Sequence, residues 1–71
     1  MNKNTVKAII SDILNINVLE PDEQMICIET EKKTVIVPYV NIVCKDAYLR
    51  AITEQSEVYY IPYDKIIYIG I

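Results

Sequence analysis

The residues best suited to binding a ligand lie between positions 48 and 68, where five of the six tyrosines accompany the single arginine. A tyrosine ring is a flat apolar surface with a polar tip, and an arginine guanidinium is a planar fork for anions. Side chains two residues apart share one face of a strand. Stacked rings with nearby cations suit a nucleotide-sized anion. This pattern predicts a ligand site that consists of Tyr48, Arg50, Tyr60, Tyr63 and Lys65.

A second interpretation of the same residues needs no ligand. Tyrosines also fill the walls of small barrels and the contacts between subunits, and Arg50 could then form an ion pair with a carboxylate. Both interpretations stay open at the level of sequence.

The two cysteines and the clustered carboxylates do not have the spacing of a catalytic or metal site. Cys27 and Cys44 have no third cysteine or histidine beside them, so both a zinc ligand set and the usual base for a thiol nucleophile are missing. Each lies in an apolar segment, which predicts a reduced, buried thiol. The carboxylates between 20 and 31 flank two turns, where solvated charges are expected. We therefore expect no enzyme activity, no metal and no cofactor.

Length and charge narrow the class of protein further. The 71 residues suit one domain, 1–71, and seven basic against ten acidic side chains give a net charge of −3. That balance argues against binding a nucleic-acid backbone, which needs clustered lysine and arginine. Polar residues interrupt the apolar stretch between Val6 and Leu19, so we expect neither a signal peptide nor a membrane span. The expected location is a reducing cytoplasm.

Isoleucine and valine dominate the apolar residues, with 14 and 7 copies against 3 leucines, which favours β structure. An apolar stripe at helical spacing predicts a helix from Asn4 to Leu14, with Asn4 as its N-cap and a strand as the rival interpretation. Alternation predicts a strand over Leu14 to Leu19. Further strands are predicted at Met25 to Thr30, Thr34 to Val37, Ile42 to Lys45, Tyr48 to Thr53, Glu57 to Ile61 and Ile66 to Ile71.

The chain contains an internal repeat with a period of 24 residues. Shifting the sequence by this period places Pro38-Tyr39 over Pro62-Tyr63, and Ile28 over Ile52. Proline within a sheet belongs at an edge or a bend. Each Pro-Tyr pair therefore predicts a corner, made through a short 3₁₀ turn, that curls the sheet toward a barrel.

The segment Tyr60-Ile61-Pro62-Tyr63-Asp64-Lys65-Ile66-Ile67-Tyr68-Ile69-Gly70 resembles the last two strands of small SH3-like barrels, including the Sm-like and PRC-type families. The resemblance implies an all-β SH3-like barrel, with the predicted helix in front of it, and a habit of forming rings. The basic and glycine-bearing loops with which Sm-like proteins bind RNA are missing from this sequence, so RNA binding does not carry over.

The last two strands are apolar on both faces, which predicts that one face fills the core and the other meets another subunit. The predicted interface residues are Tyr59, Ile61, Ile67, Ile69 and Ile71. We therefore expect a non-enzymatic homo-oligomeric binding protein, with further copies of itself, a small anionic ligand or a host protein as partners. The alternative is a sponge that sequesters a cyclic nucleotide signal between subunits, as phage anti-defence proteins do. The use of Ile, Asn, Lys and Tyr is typical of AT-rich bacterial or phage genomes.

Overall fold

The described residues form six strands in two antiparallel sheets and one N-terminal helix, which confirms the predicted mainly-β class. The computed structural model describes residues 1–16 and 19–71. Its elements are α1 (Lys3–Ile16), β1 (Met25–Thr30), β2 (Thr34–Pro38), β3 (Ile42–Cys44), β4 (Tyr48–Ile52), β5 (Val58–Pro62) and β6 (Ile66–Gly70). All six strands lie within two residues of their predicted bounds, because the turn residues between them are polar and the strands are not.

Each sheet combines a hairpin from one half of the chain with a single strand from the other half. Sheet 1 has the order β2-β1-β6, and sheet 2 has the order β3-β4-β5. The first hairpin, β1–β2, is thus completed by the last strand, and the second hairpin, β4–β5, is completed by the third strand. Each sheet therefore contains strands from both halves of the chain.

Two Pro-Tyr corners carry the chain between the sheets, as predicted. Pro38 and Pro62 end β2 and β5, and each is followed by a 3₁₀ turn, Tyr39–Asn41 and Tyr63–Lys65. In the described part of the chain, no strand pairing joins sheet 1 to sheet 2. The two sheets therefore do not form a closed barrel within the described residues, and the SH3-like class stays a prediction.

The strand register corrects one detail of the predicted repeat. Met25 pairs with Pro38, whereas Tyr48 pairs with Pro62. The corners therefore repeat after 24 residues, but the hairpins' first strands repeat after 23. Ile28 consequently corresponds to Ala51 and not to Ile52. The second hairpin turn holds the extra residue.

Helix α1 confirms the helical interpretation of the N-terminal stripe but begins earlier than predicted. The Asn2 side-chain oxygen accepts a hydrogen bond from the Thr5 backbone N–H at 2.8 Å, so the N-cap is Asn2 and not Asn4. Val6 and Ile10 are buried against the sheets. The predicted strand from Leu14 is wrong as far as Ile16, which is helical, and its positions 17 and 18 lie outside the described residues.

The core lies between the two sheets and under the helix. Its largest fully buried side chains are Ile26, Ile28, Leu49, Ile66, Val6 and Val37. The Met1 amino group donates to the carbonyls of Tyr63 and Ile66, at 3.0 and 3.2 Å, which ties the start of α1 to the second corner. No described helix has the length and apolarity needed to cross a membrane.

Candidate functional site

Three of the five predicted ligand residues come together on the outer side of sheet 2. Arg50 pairs across the strands with Tyr60 and with Val43, and Tyr48 lies two residues from Arg50 on the same strand. The rings of Tyr48 and Tyr60 pack edge to face, with centroids 5.6 Å apart. The register thus gives the shared face that alternation predicted. We call this surface face 2; its outward side chains are Val43, Tyr48, Arg50, Ile52, Val58, Tyr60 and Pro62.

Arg50 is the only charged side chain on face 2, and it has no ionic partner among the described residues. Its Nε is buried and makes no hydrogen bond there, and no carboxylate lies within 4.0 Å of its guanidinium. The predicted alternative, in which Arg50 pairs with an acid, therefore stays a prediction, because the described residues of this chain supply no such acid. A buried donor without a partner costs free energy, and the Arg50 guanidinium carries a charge that no described residue neutralises.

Tyr63 does not join this group, which corrects its predicted place in the ligand site. It is buried at the second corner, and its hydroxyl donates a hydrogen bond to the Lys45 carbonyl at 2.5 Å. Burial raises the pKa of Tyr63 from 10.0 to about 12, helped by the neighbouring Cys44 and Asp46. The ring stabilises the corner and offers no surface to a ligand.

Lys65 lies in a separate groove between β5 and the first hairpin. The groove has a volume of about 510 Å³. Its charged lining is Lys32, Lys33 and Lys65 against Glu31 and Asp64, and its aromatic lining is Tyr59 and Tyr60. The Lys33 ammonium lies 4.5 Å from the centroid of the Tyr59 ring and donates to the Tyr59 hydroxyl at 3.5 Å. We call this the lysine groove. Tyr60 borders both the groove and face 2.

The predicted interface residues divide between the core and the surface. Ile61 and Ile69 are buried, at 7% and 5% exposed, so they fill the core and are not free to meet another subunit. Tyr59 is half-buried over the core. Only Ile67 and Ile71, at 54% and 73%, are exposed.

A β-bulge explains why the last strand breaks its predicted alternation. The register between β1 and β6 shifts at Glu29/Thr30, where Glu29 pairs with Tyr68 and Thr30 with Ile66. Ile67 and Tyr68 consequently both stay outside, while Ile66 and Ile69 point inward. Regular alternation along a strand would instead place Ile67, Ile69 and Ile71 on one face.

Sequence reasoning missed the second apolar surface, on the outer side of sheet 1. We call it face 1; its outward side chains are Met25, Cys27, Glu29, Thr34, Ile36 and Tyr68. Ile36 and Tyr68 are 58% and 50% exposed. The Tyr68 ring lies over Gly70, at the place a β-carbon would occupy. The alternation of β1 and β2 could have identified this face.

The two cysteines differ in environment, which corrects the prediction that both are buried. Both are free thiols and half-buried. Cys44 packs against the core and near the Tyr63 hydroxyl. Cys27 pairs with Ile36 and Gly70 and therefore points outward from the centre of face 1. Across residues 1–16 and 19–71, no group of three or more Cys, Asp or Glu side chains is arranged to hold a metal ion.

No protein-family model and no curated protein matches the sequence, and no solved structure matches the fold.

Proposed function

We propose that this chain is a non-enzymatic, homo-oligomeric binding protein whose exposed sheet faces are covered by further copies of itself. One observation carries the proposal: both outer sheet faces are apolar and aromatic, and each has a single charge. Tyr60 is 63% exposed and Val58 47% on face 2, beside the exposed Ile36 and Tyr68 of face 1. Contiguous exposed apolar surface of this kind marks an interaction site.

The total surface supports the same proposal. The accessible surface is 4673 Å², close to the roughly 4,500 Å² expected for a compact monomer of this mass. The chain is thus not loosely folded, and its apolar exposure comes from its composition. Tyrosine and arginine are also the residue types enriched at interaction hot spots. Face 2 presents both types side by side.

The same proposal includes the SH3-like class for the fold. The two Pro-Tyr corners, each with its 3₁₀ turn, support this assignment because they pass the chain from one sheet to the other. Small barrels that leave apolar strands outside cover them by forming rings. A ring of such domains would cover faces 1 and 2.

Light scattering coupled to size exclusion tests the proposal at micromolar concentration. We expect a mass that is a multiple of 8.2 kDa. Tyr60→Asp, which places a charge on face 2, should shift the mass toward the monomer while the far-ultraviolet spectrum stays unchanged. Gln55→Asp adds the same charge to an exposed turn and should leave the mass alone. A wild-type monomer of 8.2 kDa would overturn the proposal.

The lysine groove supports a second candidate function, the binding of a small anionic ligand such as a cyclic nucleotide. Three lysines and two tyrosines line a volume of about 510 Å³, and stacking beside cations is how proteins hold nucleotides without reading sequence. Cyclic AMP and cyclic dinucleotides should then raise the melting temperature. Lys33→Ala and Lys65→Ala should abolish that rise, whereas Lys7→Ala, on α1, should keep it. No rise with any of these nucleotides would remove this candidate.

A further inference from the structure

Each sheet contains one charged residue, and the two charges have opposite signs. Among the three strands of sheet 1 this residue is Glu29, and among the three strands of sheet 2 it is Arg50. Both side chains point outward, on face 1 and face 2 respectively. All other charged residues of the chain lie in turns, corners, the helix or the segments that flank them.

Neither charge is neutralised within the described residues. The ion pair found there joins Lys3 to Asp46, with their atoms 3.1 Å apart, and involves neither sheet. Arg50 Nε is buried without a partner. Glu29 lies between Thr34 on one neighbouring strand and Tyr68 on the other, with no lysine or arginine in its cross-strand positions.

Each of the two charges lies beside a tyrosine and near apolar side chains. Arg50 is flanked by Val43 and Tyr60, and Glu29 is flanked by Thr34 and Tyr68 on a face that also carries Cys27 and Ile36. When two apolar faces pack together, a charge on either face loses its water and needs an opposite charge across the interface. Each face supplies the charge that the other lacks.

We propose that face 1 of one copy docks on face 2 of the next copy, with Glu29 and Arg50 forming the ion pair at that junction. The inference rests on the proposed homo-oligomer and specifies how it is built. Docking face 2 on face 2 would bury two arginines without an acid, and docking face 1 on face 1 would bury two glutamates without a base, so both contacts leave charges unpaired. A head-to-tail contact of this type closes into a ring or extends into a filament.

Charge reversal with rescue tests the junction. Arg50→Glu and Glu29→Arg should each raise the dissociation constant at least about a hundredfold, because like charges then face each other in a desolvated contact. The double variant Arg50→Glu/Glu29→Arg should assemble again. Lys45→Glu and Glu31→Arg reverse neighbouring exposed charges and should assemble as the wild type does. Circular dichroism should show that every variant is folded.

The thiol of Cys27 gives an independent readout. In a Cys44→Ser background, Cys27 lies at the centre of face 1 and should react slowly with a thiol reagent while the protein is assembled. Arg50→Glu, which is on the opposite sheet, should accelerate that reaction by at least about tenfold, since dissociation uncovers face 1. An unchanged rate in a dissociated variant would overturn the assignment of face 1.

The outcomes separate this inference from the proposed function. A monomeric wild type overturns both. An oligomeric wild type that survives both reversals overturns the junction and leaves the oligomer intact. Dissociation by Arg50→Glu with no effect of Glu29→Arg also overturns it and indicates face 2 meeting face 2. Dissociation by both reversals with rescue by the double variant supports it.

Discussion

The two halves of the chain, 25–44 and 48–70, have the same order of elements but present different chemistry. Each half is a hairpin, a proline, a 3₁₀ turn and a third strand. At matching positions on the outer faces, the first half has Cys27 and Ile36 where the second has Arg50 and Tyr60. The backbone is repeated, and the surface is not. The repeat therefore builds the core, while the outer faces of the two halves differ in chemistry.

The corners of the two halves differ in a second way. The Tyr63 hydroxyl donates to the Lys45 carbonyl, and the Met1 amino group holds the same corner. Tyr39 is only half-buried and lines a groove beside α1. The first corner is held by other partners: the Tyr39 backbone N–H donates to the Gln24 carbonyl at 2.8 Å, and the Asn41 side-chain amide donates to the Ile52 carbonyl at 3.2 Å.

The largest expected effect comes from placing a charge on the inward face of β6, in comparison with the same change on its outward face. Ile69→Asp places a carboxylate in the core, where an unpaired buried charge costs several kcal/mol, comparable to the stability of a small domain. We expect this variant to be unfolded by circular dichroism. Ile67→Asp, two residues earlier but outward, should stay folded. A folded Ile69→Asp would contradict the position of Ile69 in the core.

The next-largest expected effect is a loss of stability at high pH that comes from Tyr63, the tyrosine of the second corner. Folding raises the pKa of Tyr63 to about 12, so between pH 10 and 12 the folded chain keeps a proton that the unfolded chain releases. This group's contribution is complete below pH 10 and falls by up to about 1.4 kcal/mol per pH unit above it. Urea titrations between pH 10 and 12 should show that the free energy of unfolding falls less steeply with pH in Tyr63→Phe than in the wild type. Equal slopes in the wild type and in Tyr63→Phe would argue against the raised pKa of Tyr63.

A smaller effect is expected at neutral pH from a comparison of the two corner tyrosines. Tyr63→Phe removes a buried hydrogen bond and leaves the Lys45 carbonyl without that donor, which should lower the free energy of unfolding by about 1 kcal/mol. Tyr39→Phe should change it by less than about 0.5 kcal/mol. The comparison fails if Tyr39→Phe is the more damaging of the two.

The smallest expected effect distinguishes the two hairpin turns. The second turn has one residue more, and Ser56 there takes the left-handed conformation with φ 66°. Ser56→Gly should raise the free energy of unfolding by about 0.5 kcal/mol, because glycine adopts that conformation without steric cost. Lys32→Gly, in the first turn, should lower it by a similar amount through added freedom of the unfolded chain. Thermal melts of both variants would measure the opposite signs.

The sequence predicted the strands, corners and helix because local signals determine them. Polar turns such as Glu31-Lys32-Lys33 interrupt β-branched runs, and proline ends a strand regardless of what surrounds it. The pairing of Cys27 with Gly70 joins strands that are far apart in the sequence and leaves no local trace. The bulge at Ile67 has the same origin, and it places Ile67 and Ile69 on opposite faces of β6.

The sequence predicted the part of the candidate site that lies on the β4–β5 hairpin. Tyr48, Arg50 and Tyr60 were found together because a hairpin brings them onto one face. The corner turns the chain after Pro62, so Tyr63 is buried and Lys65 meets only Tyr60 of these three, in the lysine groove. Glu29 lies on the other sheet from Arg50, so no local pattern in the sequence relates the two residues.

Native mass spectrometry of the purified protein at micromolar concentration tests the central claim most directly. The claim is that the apolar faces of sheets 1 and 2 are covered by further copies of the chain. We predict a dominant species at an integral multiple of 8.2 kDa with no additional mass. A multiple that carries the extra mass of a bound nucleotide would favour the lysine-groove function. A dominant monomer of 8.2 kDa would contradict the claim.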